Sequence, residues 1–127
     1  MESKDNIVTF PDSDDREKGR GYTIMRGSRQ AMMLEIKIPI PGRQNVWVRT
    51  GFPYATIEEC IHNQEELFIK LYDGRLITIT GDNLGRLFDA ILDHKLRMVR
   101  PLLESESRKE DEPRPVKIII EDKVTEN

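Results

Sequence analysis

The sequence predicts an α+β domain, a mainly antiparallel sheet of about five to six strands with one amphipathic helix packed on one face. Three observations carry this prediction. Residues 32–40 alternate apolar and polar side chains with period two, the pattern of a half-buried strand. Residues 67–79 repeat strand-like patterning on either side of an Asp73-Gly74 turn. Leu84, Leu87, Phe88, Ile91 and Leu92 fall at i, i+3, i+4, i+7 and i+8, a single helical stripe. Consecutive strands joined by short turns imply antiparallel pairing. The strand-rich half could alternatively curl into a small open barrel.

The elements follow in order. In 32–40 the inward set is Met32, Leu34, Ile36, Ile38 and Ile40. Pro39 lies on the outward phase and has no N–H, which places that end at a sheet edge. Pro41-Gly42-Arg43-Gln44-Asn45 turns the chain into a second strand, 46–50, and Gly51-Phe52-Pro53 breaks it. Residues 54–63 read two ways. Thr56 and Glu59 fit a helix capping box ahead of Ile57, Cys60 and Ile61, yet the same residues also alternate as a strand, which is preferred because a strand-like neighbour follows. That neighbour, 67–72, enters the Asp-Gly turn. A two-residue loop would mix apolar and polar side chains on each face. A three-residue loop with Gly74 left-handed sets Leu71 beside Arg75, Ile69 opposite Ile77 and Leu67 opposite Ile79, giving one apolar face, and is expected for that reason. Asp82 or Asn83 is the expected helix N-cap. A last short strand, 97–100, stops at Pro101.

The chain of 127 residues is one domain's worth. It divides into an acidic tail over 1–21, expected to be disordered, a single α+β domain over 22–103, and a charged linker with a short β-prone segment, Val116–Ile120, over 104–127. Residues 1–19 carry net −3, residues 20–103 net +3 and residues 104–127 net −3. Nine of the twelve basic residues in the body are arginines, whose planar forks suit phosphate and carboxylate. One cysteine excludes an internal disulfide, and together with the absence of an apolar run behind Met1 it points to a reducing, cytoplasmic setting. No stretch approaches the roughly 20 apolar residues of a membrane helix, so no membrane partner is expected.

Candidate chemistry is sparse. Cys60 and His62 share a strand face, as half a metal site or as a nucleophile with its base. No second cysteine exists and His94 is the only other histidine, so they read better as a core thiol and a surface histidine. His94 near the helix end suits the helix dipole. Gly81-Asp82-Asn83-Leu84-Gly85 lies where a phosphate loop would lie but lacks the required spacing, and Asp82 has the wrong charge. Capping explains these residues apart from Gly85, which could permit close packing of helix on sheet. The adjacent carboxylates at Glu58, Glu59, Glu65 and Glu66 read as solvated surface. No catalytic, cofactor or metal residue is assigned.

The candidate interaction surface comprises Arg26, Arg29, Trp47, Arg49, Tyr72 and Arg75. Arg26-Gly27-Ser28-Arg29 resembles, over these few residues, the arginine arm of cyclic-di-nucleotide receptor domains of the PilZ type. The Asp-x-Ser-x-x-Gly turn that completes that family's site is absent, so the family is not assigned. Trp47 is exposed if Val46 and Val48 point inward and is core if they do not, with Arg49 assigned to the valine face. The tail segments 7–10 and 116–120 suit strand addition to a sheet edge, whether the edge belongs to this domain, a second copy or a partner. The expected function is a small non-catalytic interaction or adaptor domain that binds a protein partner or itself. Alternatives are a nucleic-acid or nucleotide binder using the body arginines and, less favoured, a small enzyme.

Overall fold

The computed structural model describes residues 20–43, 46–103, 106 and 111–122. Among these residues eight strands form two four-stranded sheets, one short helix is present, and no barrel closes. The strands are β1 (Tyr22–Ile24), β2 (Met33–Pro39), β3 (Trp47–Pro53), β4 (Ile57–Asn63), β5 (Glu66–Leu71), β6 (Leu76–Asp82), β7 (Leu96–Val99) and β8 (Arg114–Glu121), with α1 (Gly85–Leu92) joining β6 to β7. The α+β class holds, but the single expected sheet is two. Sheet one has the order β1-β7-β2-β3 and sheet two the order β4-β5-β6-β8. The pairing is antiparallel except where β7 lies parallel to β2, Glu35 beside Met98 and Ile36 beside Val99.

The chain changes sheets at Pro53. A 3-10 turn over Tyr54–Thr56, closed by the Thr56 hydroxyl donating to the Pro53 carbonyl at 2.6 Å, redirects β3 into β4. Residues 57–63 are therefore strand, and the capping-box threonine serves the turn. Two sheets arise because this bend leaves β3 and β4 as separate edges.

Both sheets contribute to one core. Leu34, Ile36 and Phe52 from sheet one meet Leu67, Ile69, Ile77 and Ile79 from sheet two, with Leu84, Leu87, Ala90 and Ile91 of the helix in the same cluster. The 67–79 hairpin has the three-residue loop. Gly74 takes φ 96°, the Gly74 N–H donates to Leu71 O at 2.9 Å, and Ile69 pairs with Ile77 and Leu67 with Ile79. One flat apolar face selects that register, since a slip of one residue would turn the isoleucines to solvent.

Several expectations need correction. Met32 precedes β2 and is exposed, so the inward set is Leu34, Ile36 and the partly buried Ile38. The Pro39 end of β2 is a local edge as expected, because the short β7 pairs only with Glu35 and Ile36 and leaves Pro39 with β3 alone. Leu92 is exposed, and Ala90 takes its place in the core. The N-cap position falls on neither Asp82 nor Asn83. Asp82 ends β6, Asn83 has φ 55°, and the N-cap is Leu84, whose side chain has no capping group.

The helix C-terminus is more elaborate than the sequence suggests. His94 sits at φ 57°, its N–H donates to Ile91 O at 3.0 Å, and the Lys95 N–H donates to Ala90 O at 2.7 Å. This is the paired closure of a Schellman motif, with histidine at the left-handed position where glycine is usual. The segment 116–120 belongs to the fold, because β8 lies against β6 with Ile118 beside Ile79 and Ile120 beside Ile77. The tail segment 7–10 lies outside the described residues.

Candidate functional site

The outer face of sheet one carries a concavity. Residues paired across β2 and β3 share a face, so Leu34, Ile36 and Phe52 point into the core with the partly buried Ile38, and Thr50 and Val48 lie on the same face, Val48 exposed at its end. Met33, Glu35, Lys37 and Pro39 then face outward with Pro53, Gly51, Arg49 and Trp47. Arg49 is on the tryptophan face, not the valine face, since it stands two residues from Trp47 on the same strand.

A strap over residues 25–31 walls one side. The Met25 N–H donates to Lys95 O at 2.8 Å, the Ala31 N–H to His94 O at 2.7 Å and Gln30 Nε2 to Asp93 O at 3.0 Å. Between these anchors the Arg29 N–H closes a turn onto Arg26 O at 3.2 Å, with Gly27 at φ 63°, and Lys95 donates to the Gly27 carbonyl. Arg26 and Arg29 thus stand on an anchored turn, not on a free arm.

Between strap and sheet lies a groove of about 610 Å³ lined by Met25, Met32, Met33, Glu35, Arg49 and Arg97, among others. Met32 is 85% exposed and Met33 47%. Arg49 pairs with Glu35 across the groove floor. Two guanidinium groups against one carboxylate leave the lining with an excess of positive charge.

The six expected surface residues do not form one site. Arg49 lines the groove, and Arg26 and Arg29 stand on the strap beside it. Trp47 shares the outer face but is half-buried beneath Arg100, whose guanidinium carbon lies 5.3 Å from the ring centre. Neither expected state of Trp47, fully exposed or core, describes it. Tyr72 and Arg75 belong to the β5–β6 loop of sheet two. There Arg75 pairs with Asp73 at 2.9 Å and covers the Phe52 ring at 5.1 Å. Met25, Met32, Met33 and Arg97 were missed by sequence reasoning. The available signal was Met32-Met33 ahead of a strand whose inward phase begins at Leu34.

Other arginines are committed to structure. Arg100, 6% exposed, grips both Glu106 oxygens at 2.8 and 2.6 Å, and Arg20 pairs with Glu112 at 3.2 Å.

The thiol and imidazole candidates divide: Cys60 and His94 line one pocket of about 170 Å³ together with Glu58 and Glu59, and His62 is not among its lining residues. Burial pushes the Cys60 thiol up to about 12, far from the range of a nucleophilic cysteine. His62 packs on Phe88, ring centres 5.9 Å apart, and its Nε2 has no hydrogen-bond partner. His94 stacks on Tyr54 at 4.6 Å, and the Tyr54 hydroxyl donates to Leu96 O at 2.6 Å. Burial raises the Tyr54 pKa well above its ordinary value. A methyl group on Gly85 would meet His62 Cε1 at 3.4 Å, an ordinary contact, so packing does not demand glycine there. Among the described residues no group of three or more His, Cys, Asp or Glu is placed to hold a metal ion, and no helix is long and apolar enough to cross a membrane.

No protein-family model matches the chain, and comparison with curated proteins and with solved structures gives no significant match.

Proposed function

We propose that the protein is a non-catalytic interaction module that receives a protein segment in the methionine groove of sheet one. The observation that carries this reading is Met32, 85% exposed, beside Met25 and Met33 in a concave site. Unbranched, polarisable methionine side chains adapt to varied apolar shapes, a property suited to binding surfaces more than to a fixed core. The surplus guanidinium charge of Arg49 and Arg97 over Glu35 favours a segment whose apolar side chain is flanked by carboxylates. The raised Cys60 thiol adds support to the non-catalytic reading.

The nucleic-acid reading draws less support. Arg20, Arg49, Arg75 and Arg100 each pair with a carboxylate of the chain, which lowers the positive field available to phosphates.

Selection of random peptides displayed on phage, against the wild type and against Met32→Asp/Met33→Asp, tests the groove. The expected result is enrichment of peptides with an aliphatic or aromatic residue beside Asp or Glu, whose affinity falls about 10-fold or more on the variant. Peptides that bind both proteins equally, or no enrichment at all, would refute the reading.

A further inference from the structure

Sheet two presents its own outer face, and its residues fall into three rows across the four strands. The middle row is Ile61, Phe68, Thr78 and Ile119. Ile61 is 47% and Ile119 41% exposed, and Phe68 is half-buried. On one side runs Glu59, Lys70, Leu76 and Glu121, and on the other Asn63, Glu66, Thr80 and Lys117. An apolar stripe between two charged rows is the layout of an interface core with a polar rim.

We infer that this face is a two-fold interface between two copies of the chain, with the axis lying along the middle row. A rotation about that line sets each middle-row residue on its own counterpart and exchanges the flanking rows. Lys70 then faces Glu66 of the second copy, and Glu121 faces Lys117 of the second copy. Each pairing occurs twice. The remaining opposed positions, Glu59 with Asn63 and Leu76 with Thr80, bring no like charges together. The rival face-to-face arrangement has its axis parallel to the strands. It sets Glu59 against Glu121 of the second copy, also twice, and leaves Lys70 facing Leu76. Like charges brought together across an interface are strongly unfavourable, so the pattern selects the first axis. Glu66, Lys70, Lys117 and Glu121 have no ion-pair partner among the described residues, which leaves them for contacts between copies.

Face-to-face sheets pack with strand directions within about 30° of each other, which keeps opposed rows in reach near the axis. Four strands about 4.8 Å apart and three rows about 6.8 Å apart span roughly 19 Å by 20 Å. That is roughly 400 Å² per copy, about 800 Å² in all, below the roughly 1,200 Å² of a stable specific interface and in the range of weak, transient ones. The dimer is therefore weak and reversible. It uses a surface other than the methionine groove and stands independently of the function proposed for it.

The test is sedimentation velocity of the full chain from about 1 µM to about 500 µM, at low salt. The wild type should pass from monomer to dimer across this range. Lys70→Glu or Glu66→Lys alone should weaken the dimer about 10-fold or more, and the double swap K70E/E66K should return it to within about 3-fold of wild type. Phe68→Ser, checked for folding by circular dichroism, should remove the dimer. A wild type that stays monomeric throughout overturns the inference. So do single reversals without effect, or a double swap that fails to restore association.

Discussion

Gly81 fixes the place where β8 joins the fold, and replacing it with alanine tests that junction. A Cβ at Gly81 would lie 2.0 Å from the Arg114 carbonyl oxygen, 3.0 Å from its carbon and 3.1 Å from Pro115 Cα. A carbon needs about 3.3 Å to such an oxygen, so the β8 backbone must retreat by about 1.3 Å. A side chain could rotate aside, but this obstacle is main chain. Retreat opens the ladder where Gly81 pairs with Pro115 and Asp82 with Arg114, and it loosens the buried Ile118. Overpacking costs about 2 kcal/mol, and partial exposure of one isoleucine adds about 1 kcal/mol, for a total near ~3 kcal/mol. Thermal denaturation should register a drop of about 10 °C. Gly51→Ala is the control, since its Cβ would meet only the mobile Met33 Cε at 3.2 Å, and it should cost under about 0.5 kcal/mol. Hydrogen exchange read on the amides of 116–120 locates the damage. If Gly81→Ala loses less than about 0.5 kcal/mol and these amides keep their protection, β8 does not approach Gly81 as described.

Three further outcomes are expected. Tyr54→Phe removes the buried bond to Leu96 O and should cost about 1–2 kcal/mol in urea denaturation; an unchanged midpoint would contradict the structural role of that hydroxyl. Arg100→Ala should cost about 3 kcal/mol, and Arg100→Lys should recover little of it, because lysine cannot bond both Glu106 oxygens from one planar group while stacking on Trp47; a lysine variant as stable as wild type would refute this. Cys60 in the native protein should react with a chromogenic disulfide at pH 8 at least about 100-fold more slowly than in the unfolded chain. Its raised pKa also means that the fold holds the thiol proton. That contribution to stability is complete below the ordinary thiol value of 9.0 and is lost as pH rises toward about 12.

Local features were legible in the sequence, and long-range ones were not. The Tyr72-Asp73-Gly74 loop and its register could be read because a single constraint, one clean apolar face, decides them within a few residues. The alternation from Leu34 to Ile38 and the stripe Leu84, Leu87, Ile91 are equally local. The division into two sheets depends on a tyrosine, Tyr54, whose hydroxyl anchors the crossing turn to Leu96, far along the chain. No periodicity encodes that bond. The parallel contact of β2 with β7 and the docking of β8 on β6 are likewise set by tertiary packing. The helix N-cap misled because Asp82 is a strong capping residue by type, while the ladder to Arg114 holds it in β6. The groove was half legible. Arg49 was singled out, but its neighbours Met25, Met33 and Arg97 come from three separate segments that only the fold assembles.

The most direct test of the methionine groove is a methyl NMR titration with methionine methyls labelled, using a peptide that carries an aromatic residue between two aspartates. Met25, Met32 and Met33 line the groove, whereas Met98 is buried at 1% exposure and serves as an internal reference. Binding in the groove predicts saturable shifts of the first three methyls, no shift of Met98, and loss of the effect in Arg97→Glu. Shifts at Met98 alone, or no saturable shift at any groove methyl, would contradict the groove as the binding surface.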